Sequence, residues 1–204
     1  MSRNILILIS SITIVLLVLV YLYRPTPFPT NYPPPNFTAI AFGDSLVAGV
    51  GSTAGNDFVS KLATVLGREI VNKGVSGNTT ADGVDRLATI VQLQPGTVFL
   101  LLGGNDAIRR VPRAETDANL RVIISTLHDH GVFVVLLGVR GGLLTDNLET
   151  MFNKIAKETN VLYIPDVLDG LFGNPELMAD AIHPNNAGYE LIAGRVYKAL
   201  NELP

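Results

Sequence analysis

The chain has 204 residues, 48% of them apolar, enough for one ordinary domain with a substantial core plus flanking segments. Its 15 basic and 18 acidic residues leave a formal charge of −3, which excludes the basic footprint of a nucleic-acid-binding protein. With no cysteine, disulfides, thiolate chemistry and a lipoprotein cysteine anchor are excluded, although the compartment is not fixed by that absence.

The first 24 residues stand apart. Ile5 to Tyr23 is a charge-free apolar run of 19 residues. As a helix it would span about 28 Å, close to the hydrocarbon thickness of a bilayer. A buried core helix would need amphipathic relief, and the run has little. A cleaved signal would be shorter and followed by an A-x-A site, and none follows. The pattern therefore predicts a transmembrane anchor over 1–24, with Tyr21 and Tyr23 at the interface, the amino terminus inside and the remaining chain extracytoplasmic. A cleaved secretion signal is the second choice. Half of the 12 prolines fall between Arg24 and Asn36. Proline favours extended backbone, so residues 25–36 are expected to form a semi-rigid spacer.

From residue 37 to 204 the pattern alternates. The apolar runs TAIAF, IVNKG, TVFLLLG, VFVVLLG and VLYIP predict five strands. Helical spacing lies between them: Phe58, Leu62 and Val65; Val84, Leu87 and Val91; Leu120, Ile123, Ile124 and Leu127; Leu148, Met151, Phe152 and Ile155; and finally Tyr189, Ile192, Ala193 and Val196. This alternation predicts an α/β domain, a three-layer flavodoxin-like fold with a five-stranded parallel sheet in the order 2-1-3-4-5 and helices on both faces.

In such a fold every strand delivers its carboxyl end to one rim. Those ends read GDSL, GVSGNT and GGND, and DAIHP follows the fifth strand. One rim would then carry Ser45, Gly77, Asn105 and the pair Asp180/His183. Taken singly, each has a plain explanation: a turn serine, a turn glycine, two caps and a surface histidine. Acyl transfer explains all five together. A serine hydroxyl needs a base to take its proton, and imidazole ordinarily titrates near neutral pH. A carboxylate must hold the imidazole tautomer, and Asp180 lies one turn before His183. Pro184 restricts His183 to extended angles. The oxyanion needs donors aimed in advance: the Gly77 N–H, the Asn105 amide and the Ser45 N–H.

The four blocks GDSL, VSGNT, GGND and DAIHP resemble those of the GDSL, or SGNH, hydrolases, in the family's order and across roughly residues 38 to 200. The SGNH letters fall on Ser45, Gly77, Asn105 and His183, and the family's aspartate on Asp180. The spacing and LLGGND look most like the bacterial subgroup with thioesterase, lysophospholipase and arylesterase activities. The resemblance implies a serine esterase with a shallow, adaptable site and neither metal nor cofactor, acting on small-molecule esters or lipids. The chain departs from the subgroup at its front. Many members have a cleavable signal, whereas this sequence reads as keeping an anchor that ties it to a membrane.

Other motifs carry less. Ser45 is not in a G-x-S-x-G elbow, so the α/β-hydrolase fold loses support. Residues 49–55, GVGSTAG, miss the dinucleotide fingerprint by one residue and read as a flexible loop beside the site. His128 and His130 flank Asp129 at a helix end, too few ligands for a metal. RRVPRAE, from Arg109 to Glu115, reads as a solvated loop that would, if functional, cover an acyl pocket or draw in anionic head groups. Three alternatives stay open: a carbohydrate O-acetyl esterase, a non-catalytic flavodoxin-like binding module, and an anchored scaffold. Oligomeric state is not encoded in any motif.

Overall fold

A computed structural model of the chain describes residues 28–139 and 148–203, together with Ile14. The expected anchor over 1–24 lies outside these residues but for Ile14. Among the described residues no helix is long and apolar enough to cross a membrane.

Five strands form one parallel sheet: β1 (Ala39–Gly43), β2 (Ile70–Gly74), β3 (Thr97–Leu101), β4 (Phe133–Leu137) and β5 (Leu162–Ile164). Their order is β2-β1-β3-β4-β5, as the alternation predicts. The register is continuous, with Gly43 opposite Gly74 on one side and Leu101 on the other. The three inner strands are buried at every residue, which is why they read as unbroken aliphatic runs. The edge strands β2 and β5 are partly exposed and correspondingly more polar.

Helices cover both faces. In chain order they are α1 (Ser45–Ala48), α2 (Phe58–Leu66), α3 (Thr80–Val91), α4 (Gly104–Ile108), α5 (Arg113–Asp129), α6 (Glu149–Thr159) and α7 (Asn186–Asn201). α2 packs on α7, whereas α3, α5 and α6 pack side by side as a second layer. α3 starts at a capping box in which the Thr79 hydroxyl and the Asp82 carboxylate satisfy each other's backbone. α5 buries Leu120, Ile123, Ile124 and Leu127, the predicted stripe, and α7 buries Tyr189, Ile192, Ala193 and Val196.

Two expectations change. Val65 is 55% exposed, and Leu66 packs against the core in its place. The buried residues Phe58, Val59 and Leu62 centre near Leu62, and at about 100° per residue Val65 falls roughly 70° from that centre, beyond Phe58 at the margin of the buried face. The proline-rich segment, from Phe28 on, is fastened to the domain rather than held clear of it. The Asn31 amide donates to the carbonyls of His128 (3.0 Å) and Val132 (3.1 Å), capping the end of α5 and the entry to β4. Thr30 N–H donates to the Asn160 carbonyl, and the Asn160 amide returns a bond to the Phe28 carbonyl. Tyr32 packs edge-on against Phe133. Side-chain amides in the segment supply partners for loop carbonyls, which overrides the solvated extended state that proline favours.

Candidate active site

β1 ends where there is no room for a side chain: a Cβ on Gly43 would overlap the Leu101 carbonyl and the Val47 side chain. The chain then turns at Asp44 into the one-turn helix α1, with Ser45 as its first residue. Asp44 is the N-cap, and its Oδ1 accepts the Leu46 N–H at 3.0 Å. Only 2% of Asp44 is exposed, and burial pushes its carboxyl up to about 6 against the opposing backbone hydrogen bond. α1 closes at Gly49, whose φ of +79° is left-handed. Asn72 of β2 donates to the Val47 carbonyl at 2.6 Å, and Arg86 of α3 reaches the carbonyls of Lys73 and Gly43, both at 3.2 Å. Asn72 thus ties the short helix to β2, and Arg86 bridges the ends of β2 and β1 beneath it.

The loop before α7 carries Asp180 and the expected base, His183. Asp180 Oδ1 accepts the N–H groups of Ile182 and His183, each at 2.8 Å, and Oδ2 accepts from His183 Nδ1 at 2.8 Å. The Ile182 bond first, and the His183 imidazole next, hold the Asp180 carboxyl down at about 2. An ionised carboxylate only accepts, so Nδ1 carries the hydrogen and Nε2 is left to accept. Ser45 Oγ lies 3.1 Å from that Nε2, and its O–H donates there. Residues 138 positions apart therefore share one hydrogen-bonded chain, Ser45–His183–Asp180.

The loop after α1 keeps these two parts in register. Thr53 and Asn186 exchange two hydrogen bonds, 2.8 and 3.0 Å, and the Tyr189 hydroxyl donates to the Val50 carbonyl at 2.7 Å. Gly51, with φ +95°, lies against the His183 loop. A Cβ there would overlap the Pro184 carbonyl and come within 3.1 Å of His183 Cβ. The GVGSTAG stretch, expected as a flexible loop, is tied down at both ends.

Two more segments, after β2 and after β3, lie at the same sheet edge. Gly77 has φ +82°, a conformation that favours glycine, and its carbonyl accepts Arg109 Nη2 at 2.7 Å. Asn105 lies in α4, just past Gly103 at φ +113°. Its Nδ2 donates to the Asn78 carbonyl at 3.0 Å and reaches Asp44 Oδ2 at 3.4 Å. No described residue accepts a backbone hydrogen bond from the N–H groups of Ser45 and Gly77. The structure therefore brings all five expected residues to one sheet edge. Three are directly bonded; Asn105 is joined to the Ser45 turn through Asp44, and Gly77 to α4 through Arg109.

Sequence reasoning passed over Asp44, Gly51 and Arg86. Asp44 had a signal, since an aspartate directly before a helix-opening serine is an N-cap pattern. Gly51 and Arg86 had none, because their roles rest on contacts between distant segments. Of the segments set aside, His130 Nδ1 is 2.7 Å from the Thr126 carbonyl, and burial lowers the His128 imidazole below its usual range. Among the described residues no group of three or more His, Asp or Glu side chains is arranged to hold a metal ion. Arg109, read as part of a solvated loop, instead braces Gly77.

Comparison with known proteins agrees with this geometry. The sequence profile of the GDSL-like Lipase/Acylhydrolase family matches residues 41–191. The chain is 31% identical to an arylesterase of Vibrio mimicus over 173 residues, covering 79% of this chain and 86% of that protein. It is 30% identical to Thioesterase 1/protease 1/lysophospholipase L1 of Escherichia coli K12 over 175 residues, covering 81% and 84%. The crystal structure of TesA superposes with a TM-score of 0.76 at 28% identity, covering 82% of this chain and all of that one. The profile spans most of the chain, and its span contains all four sequence blocks. This protein belongs to the GDSL-like lipase/acylhydrolase family.

Proposed function

We propose that the chain is a serine esterase that cleaves carboxylic esters and thioesters through an acyl-enzyme, with Ser45 as nucleophile. The observation that carries this reading is the Ser45–His183–Asp180 chain. Ser45 Oγ attacks the acyl carbon while its proton passes to His183 Nε2. Asp180 stabilises the imidazolium. The Ser45 and Gly77 N–H groups and the Asn105 amide hold the oxyanion. As the tetrahedral species collapses, His183 returns the proton to the departing alkoxide or thiolate. Water then attacks the acyl-Ser45, giving its proton to His183, which hands it back to Ser45 Oγ as the acid leaves.

Three exposed aliphatic side chains support an acyl rather than a sugar substrate. Val75 follows β2, Ile108 ends α4 and Ile182 lies in the His183 loop, and each is 42–50% exposed. The proposed substrates are acyl and aryl esters, including lysophospholipids. We further propose that residues 1–24 anchor the protein in a membrane with the domain extracytoplasmic. In support, Phe28 to Asn31 fasten to loops that precede β4 and β5, at the amino edge of the sheet, so the catalytic edge faces away from the leash.

A series of 4-nitrophenyl esters from acetate to dodecanoate, given to the full chain in detergent, tests the reading. Turnover should rise beyond acetate, with an optimum at butyrate or longer. Activity confined to acetate and to acetylated sugars would favour the carbohydrate esterase instead.

A further inference from the structure

Next to Asn105 is a carboxylate that the mechanism above does not use. Asp106 is 1% exposed and sits among side chains that are themselves buried, Thr80 and Thr116. Its Oδ2 accepts the Thr80 N–H at 2.9 Å, and its Oδ1 accepts the Thr80 hydroxyl at 2.5 Å and the Thr116 hydroxyl at 3.3 Å. The Thr80 oxygen in turn accepts from the Asn119 amide at 3.2 Å. Burying a carboxylate is costly unless several donors meet it, and these three do. Thr80 is the first residue of α3, so its N–H is one of the donors a helix leaves unpaired.

The wider pattern gives this contact its meaning. α4 and the residue after it grip the loop leading into α3 at three successive points. Arg109 holds the Gly77 carbonyl, Asn105 holds the Asn78 carbonyl, and Asp106 holds Thr80. Of these contacts, only the Asp106 pair is fully buried. The two outer oxyanion donors, the Gly77 N–H and the Asn105 amide, come from different segments, the loop before α3 and helix α4. Both must approach a single oxygen within about 2.7–3.1 Å. Displacements of about 1 Å in such a site cost on the order of 100-fold in rate.

We propose that Asp106 is a positioning residue of this site: by fastening the start of α3 to α4, it holds the Gly77 and Asn105 donors at the separation one oxyanion requires. The inference rests on the acyl-transfer reading above. Asp106 touches no reacting atom; it acts through Asn105 and the Gly77 loop.

The test is a pair of kinetic cycles on the full chain with 4-nitrophenyl butyrate as probe. Asp106→Asn keeps the shape and removes the charge. Its kcat should fall about 10- to 100-fold with KM within about twofold, because the donors act on the transition state and not on the bound ester. Combined with Asn105→Ala, it should cost at most about threefold more than Asn105→Ala alone, since both changes spoil the same hole. A kcat within twofold of wild type, or losses that multiply in full, would overturn the proposal. If circular dichroism shows that Asp106→Asn does not fold, Thr80→Val serves in its place. It keeps the backbone bond to Asp106 and loses the hydroxyl one, and kcat should fall about fivefold with the same incomplete multiplication. Unchanged kcat there overturns the proposal equally. A wild-type chain that does not turn the ester over defeats the esterase reading and this inference with it. An active wild type with an indifferent Asp106→Asn defeats the inference alone.

Discussion

Asp44 stands where charge is least welcome, 2% exposed at the start of α1, yet it touches both the Ser45 turn and the Asn105 amide. Burial raises its carboxyl from 3.8 to about 6. The folded state therefore holds a proton that the unfolded chain releases between about pH 4 and pH 6. Stability from this group falls as pH rises through that window, and above it the fold bears about 3 kcal/mol of buried charge. Asp180 works in the opposite sense and in a separate window. Held down at about 2, it stabilises the fold above pH 4 and loses that contribution as pH falls towards 2. Asp44→Asn should remove the first effect. Thermal melts should show wild type losing stability relative to the variant between pH 4.5 and pH 8. At pH 8, kcat should fall at least about tenfold, because an amide nitrogen then faces the Asn105 amide, donor to donor. Parallel melting curves across that range would contradict the assignment of the shift to Asp44. The carboxylate itself was legible as an N-cap. Its contact with a residue 61 positions away was not, since nothing in local pattern reports a partner that distant.

Among the elements, the long helices were readable because several turns of apolar spacing overdetermine a buried face, as in α5. α1 was not, because a helix of four residues has no period to detect. The loop that follows it escaped for a different reason. Its glycines suggest freedom, whereas the Thr53–Asn186 exchange and the Tyr189 hydroxyl bind it to α7. Gly51 is the point where this loop touches the His183 loop. Gly51→Ala combines a left-handed φ that alanine dislikes with a methyl group directed at Pro184 and His183. The variant should fold with a lower melting temperature and lose more than about tenfold in kcat as His183 moves from Ser45. Wild-type kcat in a folded Gly51→Ala chain would show that the loop does not position the imidazole.

At the scale of the molecule, the strand order followed from five aliphatic runs separated by helical segments, since short connections and parallel pairing leave few topologies. That order brings the ends of β1, β2 and β3 side by side and gathers Ser45, Gly77 and Asn105 without any contact having to be guessed. The arrival of His183 is less determined by topology, because the stretch from β5 to α7 has little regular structure. The docking of residues 28–36 likewise depends on asparagines meeting particular carbonyls, which proline content conceals. The convergence of these loops on Ser45 is the centre of the whole reading. Incubation of the folded full chain with a fluorophosphonate, followed by peptide mass analysis, tests it most directly. In wild type, Ser45 Oγ should displace fluoride from the reagent's phosphorus and carry one phosphonyl group, His183→Ala should label at least about 100-fold more slowly, and Ser45→Ala should not label. An unlabelled wild type, or equal labelling of Ser45→Ala, would contradict it.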